Sequence, residues 1–216
     1  MSNSENFKIS AALKNLIGKE LITDEFVAIF ELVKNSFDAN ATKVEVIFEN
    51  NYEQEKARII IKDNGVGMNY DDLKDKWLFV AYSAKKPGNE SEDYRDKIKS
   101  QRVFAGAKGV GRFSCDRLGI FLNLITIKNE STPKTENLIV NWEDFENTDE
   151  VEFVNINVTH NTLQNTAYNL KHGTVLEISG LRDFWDRERI LKLKKSLAKL
   201  INPNQGNDSD KFEIEI

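Results

Sequence analysis

Glu31, Asn35 and Asp38 fall at four- and three-residue spacing inside the run Asp24–Ala39, which the sequence pattern predicts to be a helix. On a helix that spacing sets an acid, an amide and a second acid in one file. Such a file can hold a divalent cation and a water. Mg2+ takes oxygen ligands and keeps several waters, and a carboxylate can orient or deprotonate an attacking water. Taken alone, a solvated acidic helix face explains the same three residues. A second group is Asp63-Asn64-Gly65-Val66-Gly67-Met68, directly after a predicted strand. A carboxylate there can accept a hydrogen bond from an exocyclic amine, two glycines let a flat ligand approach the backbone, and Met68 can pack on an aromatic ring. A plain Asn-Gly turn is the alternative. A third group, Gly106-Ala107-Lys108-Gly109-Val110-Gly111-Arg112, leads into a short helix. Backbone amides and a helix N-terminus favour a phosphate chain, and Lys108 and Arg112 add positive charge. It follows neither G-x-x-x-x-G-K-[ST] nor G-x-G-x-x-G, and a surface loop is the alternative. Gly173-Thr174 opens a strand and is unremarkable by itself.

The elements that must position these groups follow from periodicity. Phe26, Val27, Phe30, Val33 and Phe37 form the expected apolar stripe of the first helix, with Glu31, Asn35 and Asp38 at its edge. A helix or helical hook over Phe7–Ile22 precedes it. Lys43–Phe48 and Ala57–Lys62 alternate as a hairpin around Asn50-Asn51-Tyr52. Tyr70–Tyr82 reads as a helix with Leu73, Trp77, Leu78 and Val80 inside. The polar segment Ser83–Arg102 is long for a connector and has the character of a lid. Strand-like runs follow at Phe121–Lys128, Leu138–Trp142, Val151–Val158 and Thr174–Ser179, then a charged helix, Asp183–Ile201, a loop, Pro203–Asp210, and a short strand-like run, Phe212–Ile216. Clustered strands with few intervening helices point to an α+β, two-layer sandwich: a mixed, mostly antiparallel sheet with helices on one face.

The 216 residues suffice for one domain with a real core, and 30% charged with 40% hydrophobic residues is ordinary for a globular chain. A formal net charge of -5 gives no indication of nucleic-acid binding. The single cysteine, Cys115, excludes an internal disulfide framework, and with two histidines it makes no zinc-type ligand set. No apolar run has membrane-spanning length, and a cytoplasmic location is the expectation.

The order and spacing of the four groups resemble the GHKL superfamily of ATP-binding domains: type II topoisomerase ATPase subunits, the ninety-kilodalton heat-shock chaperone, histidine kinases, MutL and the MORC proteins. Glu31-Leu-Val-Lys-Asn35-Ser-Phe-Asp38-Ala39 resembles the first motif and Asp63-Asn-Gly65-Val-Gly67-Met68 the second. Gly106-Ala-Lys-Gly109-Val-Gly111 resembles the lid glycines, and Gly173-Thr174 the last motif. The resemblance covers about Asp24 to Ile178. It implies a Bergerat-type fold, ATP and Mg2+ as ligands, Glu31 as general base and Asn35 as the Mg2+ ligand. It further implies Asp63 as acceptor for the adenine amine with Thr174 in support, and Asp38, Gly65, Gly67 and Met68 around the base. Gly106, Lys108, Gly109, Val110, Gly111 and Arg112 would wrap the triphosphate, and Ser83 and Lys85 resemble a Ser-x-Lys of chaperone- and MORC-like members. The Trp77–Lys85 segment and the lid point to that branch. The resemblance also implies slow ATP hydrolysis, self-association on ATP binding and coupling to a downstream domain or partner. The expected organisation is a single domain over residues 1–216, core about 20–180, in an N-terminal fragment of a longer protein. A nucleotide-gated binding module with negligible hydrolysis is the alternative; a histidine kinase fits less well, since no histidine lies upstream of the first motif.

Overall fold

The computed structural model describes residues 22, 24–78, 111–145, 158–198 and 212–216. Its first helix, α1 (Glu25–Asp38), starts where Asp24 Oδ1 accepts from the amides of Phe26 and Val27 at 2.7 and 3.2 Å. The helix ends at Ala39, whose amide bonds Asn35 O, with Asn40 in the left-handed region at φ 59°. The buried file is Ala28, Ile29, Leu32, Val33 and Ser36 rather than the expected Phe26–Val27–Phe30–Val33–Phe37 stripe. Phe26, Phe30 and Phe37 flank that file and are half-buried, and Val27 is exposed. Small and branched aliphatic side chains let the helix sit close on the sheet, so the bulky rings are pushed to its side.

Seven strands among the described residues form one sheet in the order β5-β4-β3-β6-β2-β1-β7. These are β1 (Lys43–Glu49), β2 (Arg58–Asp63), β3 (Gly119–Ile127), β4 (Thr135–Asn141), β5 (Thr159–Leu163), β6 (Gly173–Leu181) and β7 (Glu213–Glu215). All neighbours are antiparallel except β1 and β7, so the sheet is mixed. The expected α+β sandwich is what forms. One face carries Val44, Val46, Ile59, Ile61, Leu122, Leu124, Leu138 and Ile178, and packs on the helices in a single core. The other face carries a small cluster, Ile60, Ile125 and Val175, against which Leu163, Tyr168 and Leu170 pack. Beside it runs a polar network: Arg58 pairs with Glu49 and Glu177, Asn123 donates to Glu177 at 3.0 Å, and Asn137 donates to Asn123 at 2.6 Å. Period-two alternation therefore sorts the helix-facing residues from the polar ones.

Beyond α1, the second expected helix, Tyr70–Tyr82, takes a different form. A single turn, α2 (Tyr70–Asp72), is held by reciprocal bonds between Asn69 and Asp72 at 3.0 and 3.3 Å. A π-helical turn, Leu73–Trp77, follows, with Leu78 N reaching Leu73 O at 2.8 Å. Leu73 is buried, whereas Leu78 is exposed. A π-turn adds a residue per turn and shifts side chains off the 3.6 period that the sequence pattern assumes. Residues 79–82 lie outside the described residues. So do 1–21, with most of the expected Phe7–Ile22 helix, 83–102 and 151–157.

The strand next to β4 is the polar Thr159–Leu163, which carries no apolar alternation. The edge strand among the described residues, it is held by backbone pairing and by His160 and Thr162 on Glu136, at 2.8 and 3.1 Å. A short 3-10 turn, Gly111–Phe113, runs into α3 (Ser114–Leu118). The charged segment forms α4 (Arg187–Leu197), capped by Asp186 on Arg189 N at 2.8 Å. Buried Glu25 ties these helices to α1, bonding Arg117 of α3 at 3.1 Å and Arg189 of α4. Among the described residues no helix is long and apolar enough to cross a membrane.

Candidate functional site

Glu31, Asn35 and Asp38 stand on the flank of α1 that the phenylalanines do not occupy. Asn35 is exposed, Asp38 half-buried, and the Glu31 side chain is 33% exposed with Lys34 Nζ 3.5 Å away. A Cβ placed on Gly111 would come within 3.1 Å of Asn35 Nδ2. The last glycine of the third group therefore lies directly against the amide of the first. Bulk at this position would displace Asn35.

The second group sits at the end of β2, stitched to α1 on one side and to β3 on the other. Val66 N donates to Ala39 O at 2.9 Å, and a Cβ on Gly65 would meet that same carbonyl at 2.7 Å. Met68 N donates to Thr126 Oγ1 at 2.9 Å, and Asn129 N to Val66 O at 2.8 Å. Gly67 has φ +63°, and a Cβ there would lie 1.9 Å from Ile127 O, so the left-handed conformation and the close approach both require glycine. Gly173, at φ +122°, packs equally tightly on Asp63 O, at 2.1 Å from an added Cβ. Asn64 is not part of a simple hairpin turn. Its Oδ1 accepts from the amides of Thr42 and Lys43, both at 2.9 Å, and pins the loop to the start of β1.

Asp63 is buried at 8% exposure, with Oδ1 accepting from Gly65 N at 2.9 Å and Oδ2 from Ser36 Oγ at 3.0 Å. Burial pushes its carboxyl above the usual carboxylate range, although the amides of Gly65 and Thr174, the Ser36 hydroxyl and nearby His172 all oppose this. Three donors leave the carboxylate one lone pair for a further donor. Thr174 lies directly across from Asp63 in register, and Thr126 directly across from Thr174 on the far side. A buried acceptor at a strand end, two glycine-lined backbone approaches and half-buried Met68 suit a flat base that presents an amine.

The structure thus brings Asp63, Gly65, Gly67, Met68 and Thr174 together, and sets Gly111 against Asn35 on the helix that also carries Glu31 and Asp38. Lys85, Gly106, Lys108, Gly109 and Val110 lie outside the described residues, as does the side chain of Arg112. Three participants were not expected from the sequence. Ser36 orients Asp63, and its signal was a polar residue on the buried file of α1. Thr126 and His172, whose Nδ1 is 2.8 Å from Gly65 O, have no local signal, since only sheet pairing and loop closure bring them to the site.

Among the described residues no three His, Cys, Asp or Glu side chains gather as a metal site. Asn35 supplies one exposed amide oxygen. That donor set fits a Mg2+ that draws most of its ligands from phosphate and water.

A family model described as "Histidine kinase-, DNA gyrase B-, and HSP90-like ATPase" matches residues 23–174. The chain is 31% identical over 113 residues to a protein provisionally named type II restriction enzyme HgiDII from Herpetosiphon aurantiacus, covering 51% of this chain and 16% of that protein. It is 40% identical over 70 residues to the DNA mismatch repair protein MutL of Thermosipho melanesiensis, covering 31% of this chain and 12% of that protein. A 54-residue match to MutL of Fervidobacterium nodosum is 43% identical and covers 25% of this chain and 9% of that one. Each match spans a small part of a much longer relative.

Proposed function

The chain belongs to the histidine kinase-, DNA gyrase B- and HSP90-like ATPase family, whose domains bind ATP, and we propose that it binds ATP with Mg2+ and hydrolyses it slowly. The observation that carries this reading is the buried Asp63 carboxylate, held by Gly65 N and Ser36 Oγ at the sheet end beside the helix that bears Glu31 and Asn35. Asp63 accepts the adenine amine, which selects a 6-amino over a 6-oxo purine. Gly65, Gly67 and Met68 bound the base, and Asp38 lines the pocket on the ribose or adenine side. Gly111, with Gly106, Lys108, Gly109, Val110 and Arg112, encloses the phosphates.

Glu31 orients a water for in-line attack on the γ-phosphorus and takes its proton as the bond to the β-phosphate oxygen breaks. Its moderate exposure leaves it reachable by water, and Lys34 holds it from the next turn. Asn35 would supply one oxygen ligand to a bound Mg2+, which would neutralise charge on the phosphate oxygens. Little covalent chemistry is asked of the protein, so positioning dominates the rate. Closure of the segment between Trp77 and Gly111 and self-association are the proposed output, passed to a larger assembly as in the chaperone- and MORC-like branch. The relatives named for mismatch repair and restriction make a DNA transaction the first process to test. Duplex DNA added to the hydrolysis assay should raise turnover, and an unchanged rate counts against that link.

The deciding experiment is calorimetric titration with a non-hydrolysable ATP analogue, with and without Mg2+, beside a phosphate-release assay on Glu31→Gln. Magnesium-dependent binding, retained in Glu31→Gln while turnover falls about 100-fold or more, is expected. Turnover in Glu31→Gln equal to the parent removes Glu31 from the base role. Binding without any turnover favours the nucleotide-gated module instead.

A further inference from the structure

Four charged side chains close into a ring where α1, α3 and α4 meet. Glu25, in the first turn of α1, is buried, and its two oxygens are held by Arg117 of α3 at 3.1 Å and by Arg189 of α4. Asp183, between β6 and α4, accepts from Arg117 at 2.5 Å and lies 3.7 Å from Arg189. Two arginines and two acids alternate around the ring, so its charges balance. The guanidinium of Arg117 places a different nitrogen on each acid, which its planar fork allows and the single nitrogen of a lysine does not reproduce.

The ring stands away from the reacting groups. Glu25 and Asn35 lie about 15 Å apart along the axis of α1. From Gly111 to Arg117 the chain makes a 3-10 turn and then most of α3, a path of about 10 Å. Gly111 lies against Asn35 and Arg117 against Glu25, so this segment runs antiparallel along α1 and is pinned at both ends. The Asn35 end has no slack, since a Cβ on Gly111 would come within 3.1 Å of the amide. Five residues of α3 are too few to hold a place by their own hydrogen bonds. Toward the sheet, Arg182 bonds Asp116 O at 2.7 Å and Asp116 Oδ1 at 2.9 Å, and its amide reaches Leu118 O at 3.0 Å. Those bonds tie α3 to the end of β6, while Arg117 ties it to α1.

We propose that Arg117 is a positioning residue for the phosphate and Mg2+ end of the site: by holding α3 at one place along α1, it sets Gly111 against Asn35. A slip of one helical residue is about 1.5 Å, enough to take backbone amides out of hydrogen-bond range of a phosphate oxygen. The base end is secured by other bonds. Asp63 is held by Gly65 N and Ser36 Oγ, Val66 N by Ala39 O and Met68 N by Thr126 Oγ1, and none of these involves α3. Loss of the Arg117 tie therefore acts on the phosphates and spares the base. The inference rests on the ATP and Mg2+ reading above and adds to it the contact that keeps the two phosphate-side elements in register. It also gives α4 a share in that support, because Arg189 grips the same carboxylate.

The test is calorimetric titration of the 216-residue chain with adenosine and with a non-hydrolysable ATP analogue plus Mg2+, comparing parent, Arg117→Met and Glu25→Gln, with the thermal midpoint of each. Methionine keeps an apolar stem and loses the fork. In Arg117→Met the affinity for the Mg2+-loaded analogue should fall about tenfold or more while adenosine affinity stays within about twofold of the parent's. A merely structural arginine lowers the midpoint and weakens both ligands alike, or neither. Either pattern in a folded Arg117→Met overturns the inference. If Arg117→Met does not fold, Glu25→Gln loosens the same tie with a side chain of equal size, and Asp183 still pairs with both arginines. It must show the same split, and a ratio of affinities equal to the parent's is equally fatal. A parent that binds neither ligand overturns the ATP reading itself. A parent that binds the Mg2+-loaded analogue no better than adenosine leaves the base pocket standing and refutes the phosphate end, and this inference with it.

Discussion

Replacing Asp63 by asparagine separates what this carboxylate does for the ligand from what it does for the fold. In the folded chain Oδ1 accepts from Gly65 N and Oδ2 from Ser36 Oγ. Asparagine can keep its oxygen on Gly65 N–H and turn its amide nitrogen toward Ser36. The Ser36 hydroxyl can accept there while donating to Leu32 O, which lies 3.4 Å away. The bonds to Gly65 and Ser36 therefore survive. The ligand loses a charge-assisted acceptor and meets an N–H where its own amine must donate. That exchange is worth about 2–3 kcal/mol, which is roughly a 30- to 150-fold loss of affinity for an ATP analogue. Stability should move the other way. Burial disfavours the charged form of Asp63, so the neutral isostere relieves a desolvation cost and should raise the thermal midpoint. Calorimetric titration and a thermal melt on the same samples read both effects. An Asp63→Asn protein that binds like the parent refutes the acceptor role. One that loses binding together with most of its stability shows that the carboxylate is structural.

The raised carboxyl of Asp63 also gives a pH signature. The native state holds that proton more tightly than the unfolded chain, so between the ordinary carboxylate value and the raised one the parent gains stability as pH falls. Affinity for the amine-bearing base is lost over that same window because the acceptor is protonated. Adenosine affinity against pH should follow this course in the parent and stay flat in Asp63→Asn. Asn35→Ala should flatten the Mg2+ dependence of ATP-analogue binding while leaving Mg2+-free binding close to the parent; an undiminished Mg2+ effect removes Asn35 as a ligand. Gly67→Ala forces a Cβ to 1.9 Å from Ile127 O at φ +63° and should destabilise the chain by about 2–4 kcal/mol in urea titration. A midpoint equal to the parent's would contradict the packing described. Burial pushes the Cys115 thiol far up, so an aromatic disulfide reagent should label the native chain at least about 100-fold more slowly than the urea-unfolded one.

Local spacing determined much of this protein. The Asp24 cap and the Glu31–Asn35–Asp38 file are written within fifteen neighbouring residues, and the hairpin β1–β2 in the next twenty-five, because helix and strand periods and glycine conformations act over a few residues. The family could be recognised because the order of the four groups along the chain is itself a signature. Other features have causes far apart in sequence. Which face of α1 is buried depended on how near Ile29 and Leu32 come to the sheet, and that turned the expected phenylalanine stripe into a flank. The π-turn at Leu73–Trp77 and the polar edge strand Thr159–Leu163 defeat periodicity, since one breaks the 3.6 repeat and the other needs no apolar face. Ser36 reaches Asp63 across 27 positions, and Thr126 reaches Met68 and Gly173 across 58 and 47. Sequence alone supplied the acceptor, the glycines and the acid file. Only the register of β2, β6 and β3 set Thr174 and the buried Thr126 in line with Asp63, because hydrogen bonding acts over about 3 Å whatever the distance along the chain.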